Sequence, residues 1–118
     1  MKILITISVI FLFIAISGCQ HASIYDCTGV TPTYTANVKP IMDSYCAMPD
    51  MACHGGGHAA SGISLGDYAG TSAASKKKSF MGSIEHLTLY KNMPQGGVKM
   101  PDAQIHLLSC WVENGSPE

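Results

Sequence analysis

The sequence predicts an all-α domain with long loops. Three sets of apolar residues recur at helical spacing, no segment alternates with the period of a strand, and the chain between the sets is rich in glycine and proline. There is no internal repeat, and 118 residues suit one small domain of three to four helices.

The first 18 residues are read as a secretory signal peptide. Lys2 is followed by an almost wholly apolar run from Ile3 to Ile16, and then by the small residues Ser17 and Gly18. The run is short for a membrane span, which needs roughly 20 residues. Ile16-Ser17-Gly18-Cys19 also resembles a bacterial lipobox, which implies cleavage before Cys19 and lipidation of its thiol. Gln20 in place of Asp, by resemblance to Gram-negative lipoproteins, points to the outer membrane. Residues 19–33 are then a lipidated linker and residues 34–118 the domain. The chain after residue 18 carries six lysines, no arginine and eight acids, so it lacks the basic stripe that nucleic acid binding requires.

Thr31-Pro32-Thr33-Tyr34-Thr35 shows no helical period and is expected to be extended or coil. The first helix is expected from Asn37, a good N-cap, with Pro40 in the first turn. Val38, Ile41, Met42 and Tyr45 share one face, and Cys46 follows at the end of it. Pro49 stops the helix. Gly55-Gly56-Gly57 excludes regular structure after His54 and allows the backbone to turn close to a flat group. Gly62-Ile63-Ser64-Leu65 and Tyr68 suggest a turn into a brief helix. Lys76-Lys77-Lys78 reads as a solvated helix face, or as a docking patch for an acidic partner. Phe80, Ile84 and Leu87 mark the next helical face, with His86 beside it. Residues 91–101 contain Pro94, Gly96, Gly97 and Pro101 and cannot be helical. The last helix is expected from Pro101, with Ile105, Leu108, Trp111 and Val112 as its stripe and Gly115 as a left-handed cap.

The chemistry concentrates in Cys46 to His54. A covalently attached haem c needs two thiols for its vinyl groups, a histidine for the iron and, in an electron carrier, a further ligand such as methionine. Cys53-His54 supplies a thiol and an imidazole side by side, as in C-x-x-C-H, but six residues rather than two separate Cys46 from Cys53. On one continuous helix that spacing is a rise of roughly 10 Å, too far for one ring edge. The intervening residues must loop out, and Pro49 and Asp50 are suitable turn formers. Cys53 and His54 are the firmer half of the motif, and a missing thioether would be the one at Cys46. Two other readings stand beside this one: a Cys46–Cys53 disulfide, or a zinc ion on Cys46, Cys53, His54 and His58. Met93 and Met100, each followed by proline, compete for the position opposite His54, with His86 and His106 as fallbacks. With Cys19 lipidated and Cys46 and Cys53 on haem, Cys27 and Cys110 are left for each other.

Taken together, Tyr34, Val38-Lys39-Pro40-Ile41, Cys46, Cys53-His54, Gly62-Ile63-Ser64-Leu65, Tyr68, Met93-Pro94-Gln95-Gly96-Gly97, Gln104-Ile105 and Trp111 resemble, in order and spacing, the small exported class I cytochrome c domains, particularly the lipoprotein-borne ones of Bacteroidetes type. The resemblance spans residues 34–115. It implies a cytochrome c-like fold around one covalent haem c, Cys46 and Cys53 as thioether residues, His54 as proximal ligand and Met93 as distal ligand, with Met100 as fallback. Such domains often carry a cysteine early in the last helix; here Ala103 stands there, and Cys110, nearly two turns on, points to almost the same side.

The implied function is electron transfer by a membrane-anchored monohaem cytochrome of the cell envelope, with other redox proteins as partners. With both axial positions filled the iron offers no substrate site, so an enzyme is not expected. Two alternatives remain at this level: a haem-free, disulfide-stapled envelope lipoprotein that binds a partner, and a haem enzyme or sensor with an open sixth position.

Overall fold

Helical structure begins at Tyr34, ahead of the expected start at Asn37. In the computed structural model, which describes residues 24–48, 53–55, 57 and 59–118, Thr33 is the residue that opens the helix. Its hydroxyl accepts from the Ala36 N–H at 3.3 Å, and the Asn37 side chain turns back to accept from the Thr33 N–H at 3.0 Å. Two orphan donors of the first turn are thus satisfied reciprocally, and Asn37 acts as the returning partner, not the first cap. One wide π-type turn, Tyr34–Val38, leads directly into α1 (Lys39–Tyr45). Only the first part of the Thr31–Thr35 stretch is therefore non-helical.

After a short 3-10 turn at Ala60–Gly62 come α2 (Tyr68–Ser75), α3 (Lys78–Ile84) and α4 (Asp102–Glu113). Among the described residues there is no strand, so the class is all-α. Asp67 caps α2 by accepting from the Gly70 N–H at 2.8 Å. Lys76 and Lys77 form the link between α2 and α3, and only Lys78 is helical, so the lysine run is a corner and not a helix face.

Leu87 departs from the expected apolar stripe and is 41% exposed. Helix α3 has already ended: His86 takes a left-handed conformation (φ 60°), Leu87 N–H returns to Gly82 O at 2.9 Å and His86 N–H to Ser83 O at 3.3 Å. That pair of bonds closes the helix and turns Leu87 outward. Helix α4 ends the same way. There Gly115 holds the left-handed position (φ +86°), and Ser116 N–H bonds to Trp111 O at 2.9 Å. Pro101 lies just outside α4, one residue earlier than a first-turn proline.

The α4 stop folds the C-terminal residues under the core. Trp111, Met42, Ile105, Leu108 and Val38 are its largest fully buried apolar side chains. The Trp111 indole N–H donates to Pro117 O at 2.7 Å, and the same carbonyl receives the Tyr34 N–H at 3.0 Å. Tyr68 donates to Ser116 O at 3.1 Å, and the hydroxyls of Ser75 and Ser116 are 2.7 Å apart. Residues 116 and 117 thereby join the start of the first helix, α2 and α4. Trp111→Phe keeps the ring but removes the donor, and is expected to cost about 1–2 kcal/mol, since Pro117 O keeps its Tyr34 partner. A denaturant midpoint equal to that of the unaltered chain would show that the indole N–H holds nothing.

The segment before Tyr34 is bound to α4. Cys27 and Cys110 form a disulfide with Cα atoms 5.3 Å apart. His106 donates to Asp26 O at 2.9 Å and stacks on Tyr25, and Asn114 donates to Val30 O at 2.9 Å. The expected signal peptide and the lipidation site Cys19 lie outside the described residues. Among the described residues no helix is long and apolar enough to cross a membrane.

Candidate functional site

Helix α1 carries Cys46 into the core and stops there. Met42 O accepts from both Cys46 N–H and Ala47 N–H, at 2.8 and 2.7 Å. Pro49 and Asp50, the expected turn formers, lie outside the described residues. Beyond the loop, His54 N–H bonds back to Cys46 O at 3.0 Å. The wide cysteine spacing is therefore closed by a backbone bond from one end of the motif to the other. Gly55 continues directly over Ala47: a Cβ at Gly55 would fall 2.7 Å from the Ala47 Cβ. Only glycine allows the return strand to lie so close. The close approach seen at Gly55 is to Ala47 of the chain itself.

The Gly62-Ile63-Ser64-Leu65 turn has a definite task. Leu65 N–H bonds to His54 O at 2.7 Å, and His54 Nδ1 lies 2.8 Å from Ile63 O. A carbonyl can only accept, so Nδ1 carries the proton and donates it. In the neutral ring the lone pair is then on Nε2, which makes that atom the available ligand. Backbone acceptors of this kind fix both tautomer and ring orientation of metal-binding histidines.

Cys46, His54 and Met93 line one cavity of about 300 Å³. Its remaining wall is mainly apolar, with Ile63, Leu65, Ala74, Phe80, Ile84 and Tyr90. Gly82 on α3 is what lets Tyr90 take this place, because the Tyr90 ring lies where a Gly82 Cβ would be. Met93 N–H bonds to Ser83 O at 3.0 Å, and His86 Nε2 donates to Met93 O at 3.0 Å, so both backbone groups of Met93 are held. Met100 is 2% exposed within the core and does not line the cavity. His86 is thus a brace for the Met93 loop, and His106 belongs to the Cys27–Cys110 corner.

Cys46 and Cys53 are both free thiols, so they are not joined to each other. Cys46 is buried and faces the cavity; Cys53 is half-buried and is not among the lining residues. The sequence makes Cys53 the firmer partner; of the two thiols, Cys46 is the one that lines the cavity. Burial pushes the Cys46 thiol up to about 11, with the nearby Cys53 adding to the rise. A folded-state value above the unfolded one means that stability is full below about pH 9 and falls as pH rises toward about 11. The chain is expected to lose about 2–3 kcal/mol across that range through Cys46, and Cys46→Ala to remove that part of the loss, leaving the smaller one from Tyr25, whose hydroxyl is also pushed up by burial. Denaturant titrations at neutral pH and near pH 11 measure it; an equal drop in unfolding free energy in both proteins would refute the assignment.

A second sulfur cluster is chemically different. Cys27 Sγ, Cys110 Sγ and a His106 ring nitrogen lie within 4.8 Å of one another, but the two sulfurs are bonded together and are not available as thiolate ligands. None of the three lines the cavity. His58, the fourth member of the zinc set, lies outside the described residues.

The chemistry of the cavity suits a haem c. It combines an imidazole of fixed tautomer, a thioether, a buried thiol and an apolar wall, and its volume is at the lower end of that usual for cofactor sites, about 300–1,000 Å³. Tyr90 and the lysines Lys77 and Lys91, which also line it, were not singled out as site residues from the sequence. No protein family, curated protein or solved structure matches the chain.

Proposed function

We propose that the chain is a monohaem c-type cytochrome that carries single electrons in the cell envelope, tethered to the membrane by a lipid on Cys19. One observation carries the reading: Cys46, His54 and Met93, distant in sequence and singled out for complementary roles, line the same apolar cavity. In this reading Cys46 and Cys53 hold the haem covalently, His54 ligates through Nε2 and Met93 through its sulfur. A haem c held there supplies one reversible electron at its iron. The residues around it orient and exclude. Ile63 O fixes the His54 tautomer, His86 and Ser83 fix Met93, and Leu65, Phe80 and Ile84 keep water away.

The proposed partners are redox proteins of the envelope. Residues 76–99 contain Lys76, Lys77, Lys78, Lys91 and Lys99 against the single acid Glu85, although the chain as a whole has net charge −1. Such an imbalance favours an acidic partner at this part of the chain, where Lys77 and Lys91 line the cavity.

The deciding measurement is a visible spectrum of protein made in a host with haem-attachment machinery, together with a haem-stained denaturing gel. A Soret band and stain that survives denaturation are expected. Absence of both would leave a haem-free, disulfide-stapled binding module. Met93→Ala is expected to remove the methionine-to-iron charge-transfer band and to lower the reduction potential, because a methionine ligand raises it. An unchanged spectrum would instead indicate an open sixth position.

A further inference from the structure

The mouth of the cavity has a charge pattern that its apolar wall does not require. Lys77 and Lys91 both line it, together with Ser79 and Ser83, and no aspartate or glutamate does. The two lysines come from opposite ends of α3: Lys77 directly precedes it, and Lys91 lies in the loop that follows. Between them α3 presents Phe80 and Ile84 to the cavity. Both lysines are exposed. Among the described residues the ion pairs are Lys39–Asp43 and Lys99–Asp102, so neither cavity lysine has a carboxylate partner there. An apolar cleft rimmed by two unpaired ammonium groups is complementary to a flat apolar molecule with two carboxylates on one edge.

We propose that Lys77 and Lys91 bind the two propionate carboxylates of the haem, so that the anionic edge of the ring faces the open mouth. The assignment rests on the haem reading of the cavity and adds the direction in which the ring lies. Each ammonium acts as a point charge on a flexible stem, which needs no single bidentate geometry. The neighbouring Lys76 and Lys78 do not line the cavity and serve as internal controls of equal charge.

The test uses the full haem-free chain and two metal-free probes, protoporphyrin IX and its dimethyl ester, titrated by fluorescence at neutral pH and low salt. The diacid is expected to bind roughly tenfold more tightly than the diester, the combined effect of two partly exposed ion pairs. Lys77→Gln/Lys91→Gln is expected to reduce that preference to about twofold or less, while Lys76→Gln/Lys78→Gln preserves it. Equal binding of diacid and diester by the unaltered chain would overturn the proposal and leave the haem reading intact. So would an equal loss of preference in both double variants, which would indicate a diffuse field. Failure to bind either porphyrin would also overturn the proposal, and the haem reading is decided separately by the spectrum and haem stain of the matured protein.

Discussion

His54→Ala is expected to abolish the histidine–methionine spectrum of the haem-loaded protein while leaving the haem-free fold standing. The two effects separate because the backbone and the ring of His54 do different things. Its N–H and C=O bind Cys46 O and Leu65 N–H at 3.0 and 2.7 Å, and these bonds survive any side-chain change. The ring contributes the Nδ1 bond to Ile63 O at 2.8 Å and the Nε2 lone pair. Removing one half-buried neutral hydrogen bond costs about 0.5–1.5 kcal/mol, well within the stability of a small domain. On the haem reading proposed above, removing the lone pair removes the proximal ligand, and among the described residues His86 is committed to Met93 O and His106 to Asp26 O. Spectra of the loaded protein and denaturation curves of the haem-free protein measure the two effects independently. A retained low-spin spectrum would exclude His54 as the ligand, and global unfolding would show that the ring has a larger structural role than its one bond.

How much of this was legible in the sequence depends on range. Stripes such as Val38–Ile41–Met42 and Ile105–Leu108–Trp111 report burial directly, because each helix must hide one face, and the structure buries all six. The Gly115 stop was equally legible, since few residues take a left-handed conformation at low cost. Leu87 was misplaced because periodicity does not register a stop. His86 ends α3 in the left-handed region without the glycine that usually marks it. The helix start was missed because Thr33 and Asn37 cap each other, and a pattern search that stops at the first good cap cannot distinguish the two members. At the site, residue types pointed to Cys46, His54 and Met93, but nothing in the sequence shows that they share a cavity. That convergence depends on contacts such as His54 to Ile63 and Met93 to Ser83, which pair residues through main-chain atoms that every residue type possesses. Tyr90 was invisible for a related reason: its place depends on the absence of a side chain at Gly82.

Removing the Cys27–Cys110 bridge is expected to have the largest effect on stability and almost none on the cavity. The bridge spans 83 residues of sequence and encloses α1, α2, α3 and most of α4. By chain entropy alone, closing a loop of that length destabilises the unfolded chain by roughly 4–5 kcal/mol. Cys27→Ala/Cys110→Ala forfeits that and leaves a small void at the fully buried Cys110. For a domain of this size such a loss is a large part of the total stability. The haem-free double variant should therefore be partly unfolded in dilute buffer. The haem-loaded variant should fold, because a ligand bound only by the native state shifts the equilibrium toward it. Its spectrum and reduction potential should match those of the intact protein, since neither cysteine lines the cavity. Paired denaturation of loaded and haem-free chains, with and without the bridge, measures both statements. A loss below about 1 kcal/mol in the haem-free chain would contradict the entropic account. A shifted potential in the loaded chain would mean that the corner formed by Cys27, Cys110 and His106 is coupled to the cavity through α4, which packs on the cavity-lining helix α3.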